Sequence, residues 1–180
     1  GGSSRCKLHG QERVAHALAI HRGRMEACNA QVESQRVAGS FRDPSGFVFR
    51  REGKLYRQIN QAGYESYRRL IESGLAEELT GAGLLIPHEE LGAEVGITDD
   101  AALVILPREV PFLSYPYEWC HGQLKAAALA TLDILRRAIA HGMILKDASA
   151  FNIQFIGAAP VLIDTLSFAP YTEGQPWIAY

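Results

Sequence analysis

Hydrophobic positions recur at helical spacing in three stretches of the chain. Across residues 11–38, Val14, Ala17, Leu18 and Ile20 form a thin apolar stripe among His16, His21, Arg22 and Arg24, which predicts a helix. Residues 64–79 carry a fuller stripe, Tyr67, Leu70, Ile71, Leu75 and Leu79, ended by Gly81 and Gly83. Residues 122–141 place Leu124, Ala128, Leu132, Leu135 and Ile139 on one expected buried face. Arg136, Arg137 and His141 suit the C-terminal end of that helix, and Gly142 stops it.

Between the helices the pattern shortens to strand length. Phe41 to Gly46 reads as a turn through Asp43-Pro44-Ser45-Gly46. Residues 47–51 and 55–60 flank Glu52-Gly53, a hairpin signal. Residues 84–87 and 101–106 read as extended, joined by an acidic loop with Glu89, Glu90, Glu94, Asp99 and Asp100. A short apolar strand leads into Asp147. Two strands joined by Gly157-Ala158-Ala159-Pro160 separate Asn152 from Asp164. Ser167 to Pro170 and Thr172 to Gln175 read as loop.

Composition narrows the class. A chain of 180 residues, 47% hydrophobic and 21% charged, can form one globular domain with a real core. No apolar run is long enough to span a membrane, so no membrane partner is expected. Cys6, Cys28 and Cys120 are odd in number and form no CxxC, which suits free thiols in a cytoplasmic protein. Residues 1–51 hold nine basic against four acidic side chains, and residues 52–180 hold nine against sixteen. Neither part makes a nucleic-acid surface. The Arg-rich start contains acids and lacks a continuous apolar core, so no targeting peptide is expected.

Candidate chemistry concentrates in Asp147, Asn152 and Asp164. An Asn oxygen and a carboxylate suit a hard cation such as Mg²⁺. A further carboxylate nearby can accept a proton from a hydroxyl. The same residues could instead shape a loop and cap a strand. Their order resembles the catalytic centre of protein kinases and of the aminoglycoside phosphotransferase type of small-molecule kinase. That resemblance implies an α+β, kinase-like fold, with a small N-terminal sheet and one helix, then a truncated helical C-terminal lobe. It implies Asp147 as base, and Asn152 and Asp164 holding Mg²⁺ against the phosphates of ATP. The pattern departs from protein kinases at Lys146, where Arg usually stands, and at Thr165-Leu166, which replaces Phe-Gly. Arg57 stands where kinases carry a Lys, and is either a phosphate ligand or a residue on a solvated strand face. It is expected to point into the cleft and pair with a Glu of the 64–79 helix, Glu72 or Glu78. Tyr115 and Tyr117, with Trp119, lie where a kinase hinge would hold adenine, or are ordinary core aromatics. No GxGxxG loop is present.

A narrower likeness runs from about Phe41 to Tyr180. It is carried by Ser40-Phe41-Arg42-Asp43-Pro44-Ser45-Gly46-Phe47-Val48, Tyr115-Pro116-Tyr117-Glu118-Trp119, Leu145 to Asn152 and Ile163-Asp164-Thr165-Leu166-Ser167-Phe168. These stretches are similar to the kinase-like N-terminal region of bacterial class I SAM-dependent methyltransferases. A helical leader or appendage is expected over 1–40, and the likeness implies a kinase-like domain over 41–180. Within that domain an N-lobe spans about 41–115, a hinge about 115–119 and a partial C-lobe 120–180. It implies a methyltransferase domain, attached or as a partner, that would hold SAM; no strand–GxGxG–helix unit occurs here. Three functions follow as expectations: a non-catalytic nucleotide-binding module serving a transferase, an active ATP- and Mg²⁺-dependent phosphotransferase, or an interaction domain with an empty cleft.

Overall fold

A computed structural model describes residues 34–37 and 43–178. Most of the helix expected over 11–38 lies outside these residues, as do Cys6 and Cys28. The end of that stretch is not helical: Gln35–Arg36 form strand β1, paired antiparallel to the next strand. The apolar stripe, Val14 to Ile20, stops well short of these residues, and the ladder to the adjacent strand sets their conformation.

The fold is α+β. Strands β2 (Gly46–Arg51) and β3 (Lys54–Asn60) form the expected hairpin. Its two-residue turn holds Glu52 at φ 52° and Gly53 at φ 76°, the left-handed pair that matches strand twist. Strand β4 (His88–Leu91) and strand β5 (Ala101–Pro107) complete a five-stranded sheet in the order β1-β2-β3-β5-β4, antiparallel throughout. β4 occupies part of the stretch expected to be an acidic loop. Its Glu89 and Glu90 are exposed edge-strand residues, so their charge does not oppose pairing.

Alternation divides the sheet into two faces. Phe47, Phe49 and Val104 pack with Tyr56, Leu91, Val95 and Ile97 on one side. Gln58 is fully buried on that side. Its amide is satisfied by Asn60 Oδ1, Thr98 Oγ1 and the Ile97 N–H. Leu55 and Arg57 of β3 point the other way, toward the rest of the molecule, as does Val48 of β2, which pairs with Arg57.

The helix expected over 64–79 is two helices. α1 (Gln61–Glu72) ends at Ser73, and α2 (Leu75–Gly81) begins after Gly74 at φ 79°. The apolar stripe is continuous across the break, so periodicity alone does not reveal it. Ile71 of that stripe is exposed, while Tyr67, Leu70, Leu75 and Leu79 are buried.

α3 (His121–Ala140) forms where expected but turns a different face inward. Ala127, Ala130, Ile134, Leu135 and Ala138 are buried; Leu124, Leu132 and Ile139 are exposed. Alanine permits close approach of α3 to the main core, whose members include Leu70, Leu79, Met143, Leu145, Leu162 and Phe168. Leu124, Leu129 and Leu132 point outward.

After Gly142 come β6 (Met143–Leu145), a single 3₁₀ turn at Ala150–Asn152, β7 (Ile153–Ile156), β8 (Ala159–Leu162) and β9 (Phe168–Pro170). β7 pairs with β8 around the expected turn. β9, expected as loop, pairs antiparallel with β6. Among the described residues no helix is long and apolar enough to cross a membrane.

Candidate functional site

The two parts of the fold enclose a cavity of about 440 Å³. From the sheet side it is lined by Val48, Arg50, Leu55, Arg57 and Ile105. From the other side come Asp147, Asn152, Ile163, Asp164 and Thr165. Ile86, Pro107, Val110 and Leu113 add apolar wall, and Asp43, Arg108 and Glu109 add charge at the margin.

Local structure explains how each polar side chain is held. Met143, Ile144 and Leu145 are buried, which anchors the chain just before Asp147. The Ser149 N–H donates to Asp147 Oδ1 at 3.0 Å, a turn closed by the Asp side chain. Lys146 and Asp147 both donate their backbone N–H to the Ser167 carbonyl. Asn152 ends the 3₁₀ turn, and its carbonyl accepts from the Ile163 N–H at 2.9 Å. That bond carries the β7–β8 hairpin stem up to Asp164.

Asp164 is heavily bonded. Its Oδ1 receives the Leu166 N–H at 2.9 Å, and its Oδ2 receives the Ser167 hydroxyl at 2.8 Å. The same Oδ1 pairs with Arg57 Nη2 at 2.6 Å. Both side chains of the pair are largely buried, with 13% and 14% exposure. A salt bridge so shielded from water has far more influence on the site than the exposed pairs elsewhere. Asn152 Nδ2 reaches the Ser167 hydroxyl at 3.3 Å. Ser167, itself fully buried, thus links Asn152 to Asp164. The sequence treated Ser167 as loop; only its position three residues after Asp164 could have singled it out.

Arg57 therefore points into the cleft, but its carboxylate is Asp164, not a Glu of the helices. Glu72 pairs with Arg68 one turn away. Glu78 is taken by Arg137 and His141. Arg57 sits mid-strand on the cavity face, within direct reach of Asp164, and so meets that acid first. The exposed Glu72, at 61% side-chain exposure, faces water.

Tyr115 and Tyr117 do not line the cavity. They stack on each other at 5.4 Å with planes 5° apart, and both are exposed. The 3₁₀ turn Pro116–Glu118, closed by the Tyr115 N–H donating to Glu118 at 2.8 Å, turns them outward. Trp119 is buried instead, edge-on to Phe155, with its indole N–H on Ser114 Oγ at 2.9 Å. Leu113 and Val110 supply the apolar contact from this stretch.

The donor set does not fit a divalent cation in this arrangement. A carboxylate offers about four acceptor positions, and Asp164 has filled three of them with Arg57, Leu166 and Ser167. A cation on Asp164 would lie against the guanidinium already there. Among the described residues no cluster of three His, Cys, Asp or Glu side chains has metal-holding geometry. Two buried polar atoms in cavity-lining residues lack a protein partner, Arg57 Nε and the Thr165 hydroxyl. An unpaired buried polar atom costs about 1–3 kcal/mol, and both atoms are closed to solvent, so they are a local cost of the packing around the cavity.

No family model matches the chain. It is 35% identical over 152 residues to nodulation protein NoeA of Rhizobium meliloti (strain 1021). The match takes in 81% of this chain and 30% of that protein, so the chain spans under a third of the length of its curated relative. Among solved structures, a vaccinia related kinase 3 is similar at 12% identity and a TM-score of 0.49, over 78% of this chain and 49% of the kinase chain.

Proposed function

We propose that this chain is a kinase-like module that binds a nucleotide in the cleft between the sheet and the Asp147–Asp164 segment, without transferring its phosphate. The observation that carries the proposal is the meeting of Arg57, Asp147, Asn152 and Asp164 around one cavity that also has an apolar wall. A flat base suits the wall formed by Val48, Ile86, Ile105 and Leu113, and polar oxygens suit the floor beneath. A cavity of about 440 Å³ with charged and apolar walls favours a cleft that takes a ligand over an interaction domain with an empty one.

Absence of transfer follows from Asp164. Phosphoryl transfer relies on positioned cationic charge at the phosphates, and here the carboxylate that would hold a metal is committed to Arg57. In this proposal the module serves a larger transferase, a methyltransferase being the candidate that the sequence resemblance implies.

The test is titration calorimetry of the 180-residue chain with ATP and with GTP, together with a phosphate-release assay. Micromolar binding of a nucleotide with no turnover is the expected outcome. Turnover lost in Asp147→Asn would replace this proposal with the phosphotransferase, Asp147 acting as base. Absence of binding to either nucleotide would leave the interaction domain.

A further inference from the structure

We infer that Arg57 acts as a built-in cation on Asp164, so that this cleft binds its nucleotide without a divalent metal and gains little from added phosphates. The inference rests on the nucleotide-binding proposal and specifies how that site works. Arg57 Nη2 lies 2.6 Å from Asp164 Oδ1, and the pair is largely buried. The partners cannot separate cheaply, because each would leave an uncompensated charge in a poorly solvated place. Leu166 and Ser167 hold the Asp164 carboxylate in the orientation that meets Arg57. A Mg²⁺ ion at the one acceptor position left on Asp164 would lie against the guanidinium, and Arg57 would then need a second anion within reach.

Charge in the cavity points the same way. Its lining holds four acids, Asp43, Glu109, Asp147 and Asp164, against three bases, Arg50, Arg57 and Arg108. Arg50 is bonded to Glu109 at 3.1 Å, and Arg57 to Asp164. What remains is Arg108 against Asp43 and Asp147, a surface with no excess positive charge for a bare triphosphate. Affinity then comes chiefly from the apolar wall acting on the base. Further phosphates extend toward solvent.

The experiment titrates adenosine, ADP and ATP into the parent chain, in Mg²⁺ and in EDTA; guanine compounds are substituted if GTP is the tighter ligand. All three are expected to bind within about threefold of one another, with or without metal. Arg57→Gln uncovers Asp164, so ATP binding should become Mg²⁺-dependent on the order of tenfold. Asp164→Asn releases Arg57 and removes one negative charge. ATP in EDTA should then bind on the order of tenfold more tightly, with adenosine unchanged. Circular dichroism confirms that each variant is folded; should Arg57→Gln fail to fold, the Asp164→Asn contrast between adenosine and ATP decides alone. A parent chain whose ATP affinity falls tenfold or more in EDTA overturns the inference and leaves nucleotide binding intact. Metal-independent binding in the parent with neither variant effect also overturns it, because Arg57 is then not the cause. No affinity for any of the compounds overturns the nucleotide proposal along with it.

Discussion

Single residues fix how closely the parts of this molecule approach. Gly63, in the first turn of α1, lies so near the Asp43–Gly46 turn that a Cβ there would stand 2.5 Å from the Ser45 carbonyl oxygen. Gly46 is tighter still, with the Gln58 carbonyl and the Leu166 side chain in the way. The turn that contributes Asp43 to the cavity is therefore pressed onto α1 by backbone contact. Asn60 helps to hold it, donating its backbone N–H to the Ser45 carbonyl at 2.9 Å and its side-chain amide to the Pro44 carbonyl at 3.1 Å. Gly63→Ala should destabilise the fold by about 1–3 kcal/mol, the usual penalty of overpacking. Alanine is the better helix former, so an increase in stability in a denaturant titration would show that the turn yields easily. Asp147, Asn152, Asp164 and Arg57 were legible in the sequence as candidates through the order they share with kinases. The choice of Asp164 as the partner of Arg57 was not, because pairing across a cleft depends on distances that no spacing along the chain encodes.

Among the elements, α2 and α3 are joined by a polar clasp. His141, just past the end of α3, has its Nε2 2.7 Å from Glu78 and its Nδ1 2.7 Å from the Ser73 carbonyl. Arg137 reaches Glu78 at 2.6 Å and Asp133 at 3.1 Å. The Glu78 carboxylate first, and then the Ser73 carbonyl, raise the His141 pKa above its ordinary value of 6.5. Its contribution to stability is thus fully present below about pH 6.5 and lost as pH rises through the higher folded value. His88, half-buried with its Nε2 2.8 Å from the Tyr67 hydroxyl, which also bonds Glu90, behaves oppositely. Burial lowers its pKa, so its contribution is lost as pH falls through the depressed folded value. His141→Gln should therefore lower the melting temperature at pH 6 and change it much less at pH 9, measured against the parent at each pH. Equal losses at both would mean that the imidazole acts by packing alone. Element positions were largely readable from periodicity, as the β2–β3 hairpin and α3 show. The inward face of α3 was not. A 20-residue helix rich in both Ala and Leu offers two apolar faces. Close packing chose the alanine face, an outcome set by neighbours rather than by the helix itself. β4 and β9 escaped notice because short strands borrow their stability from a partner.

Across the whole molecule, the sheet side and the Asp147–Asp164 side are sewn together by backbone hydrogen bonds. Leu85 bridges to Leu162 in parallel. The Ile86 N–H donates to the Leu162 carbonyl at 2.9 Å, and the Leu162 N–H to the Leu84 carbonyl at 2.8 Å. Sequence separation of this size is what a single chain cannot announce: nothing about Leu84 or Leu162 by itself specifies the other. The buried Gln154 side chain makes a second seam. Its Oε1 accepts from the Ser114 N–H at 2.9 Å, and its Nε2 donates to the Ser114 carbonyl at 3.0 Å, as a neighbouring strand would. Ser114 belongs to the connecting stretch whose neighbours Phe112 and Leu113 are exposed. The consequence concerns time. A connector bonded in this way does not swing as a free hinge, so local openings should be more frequent than a parting of the two cavity walls. Hydrogen–deuterium exchange would register this at one amide. The Ser114 N–H should exchange slowly within an otherwise fast stretch, and Gln154→Leu should speed it on the order of tenfold or more, as expected when a protecting hydrogen bond is removed.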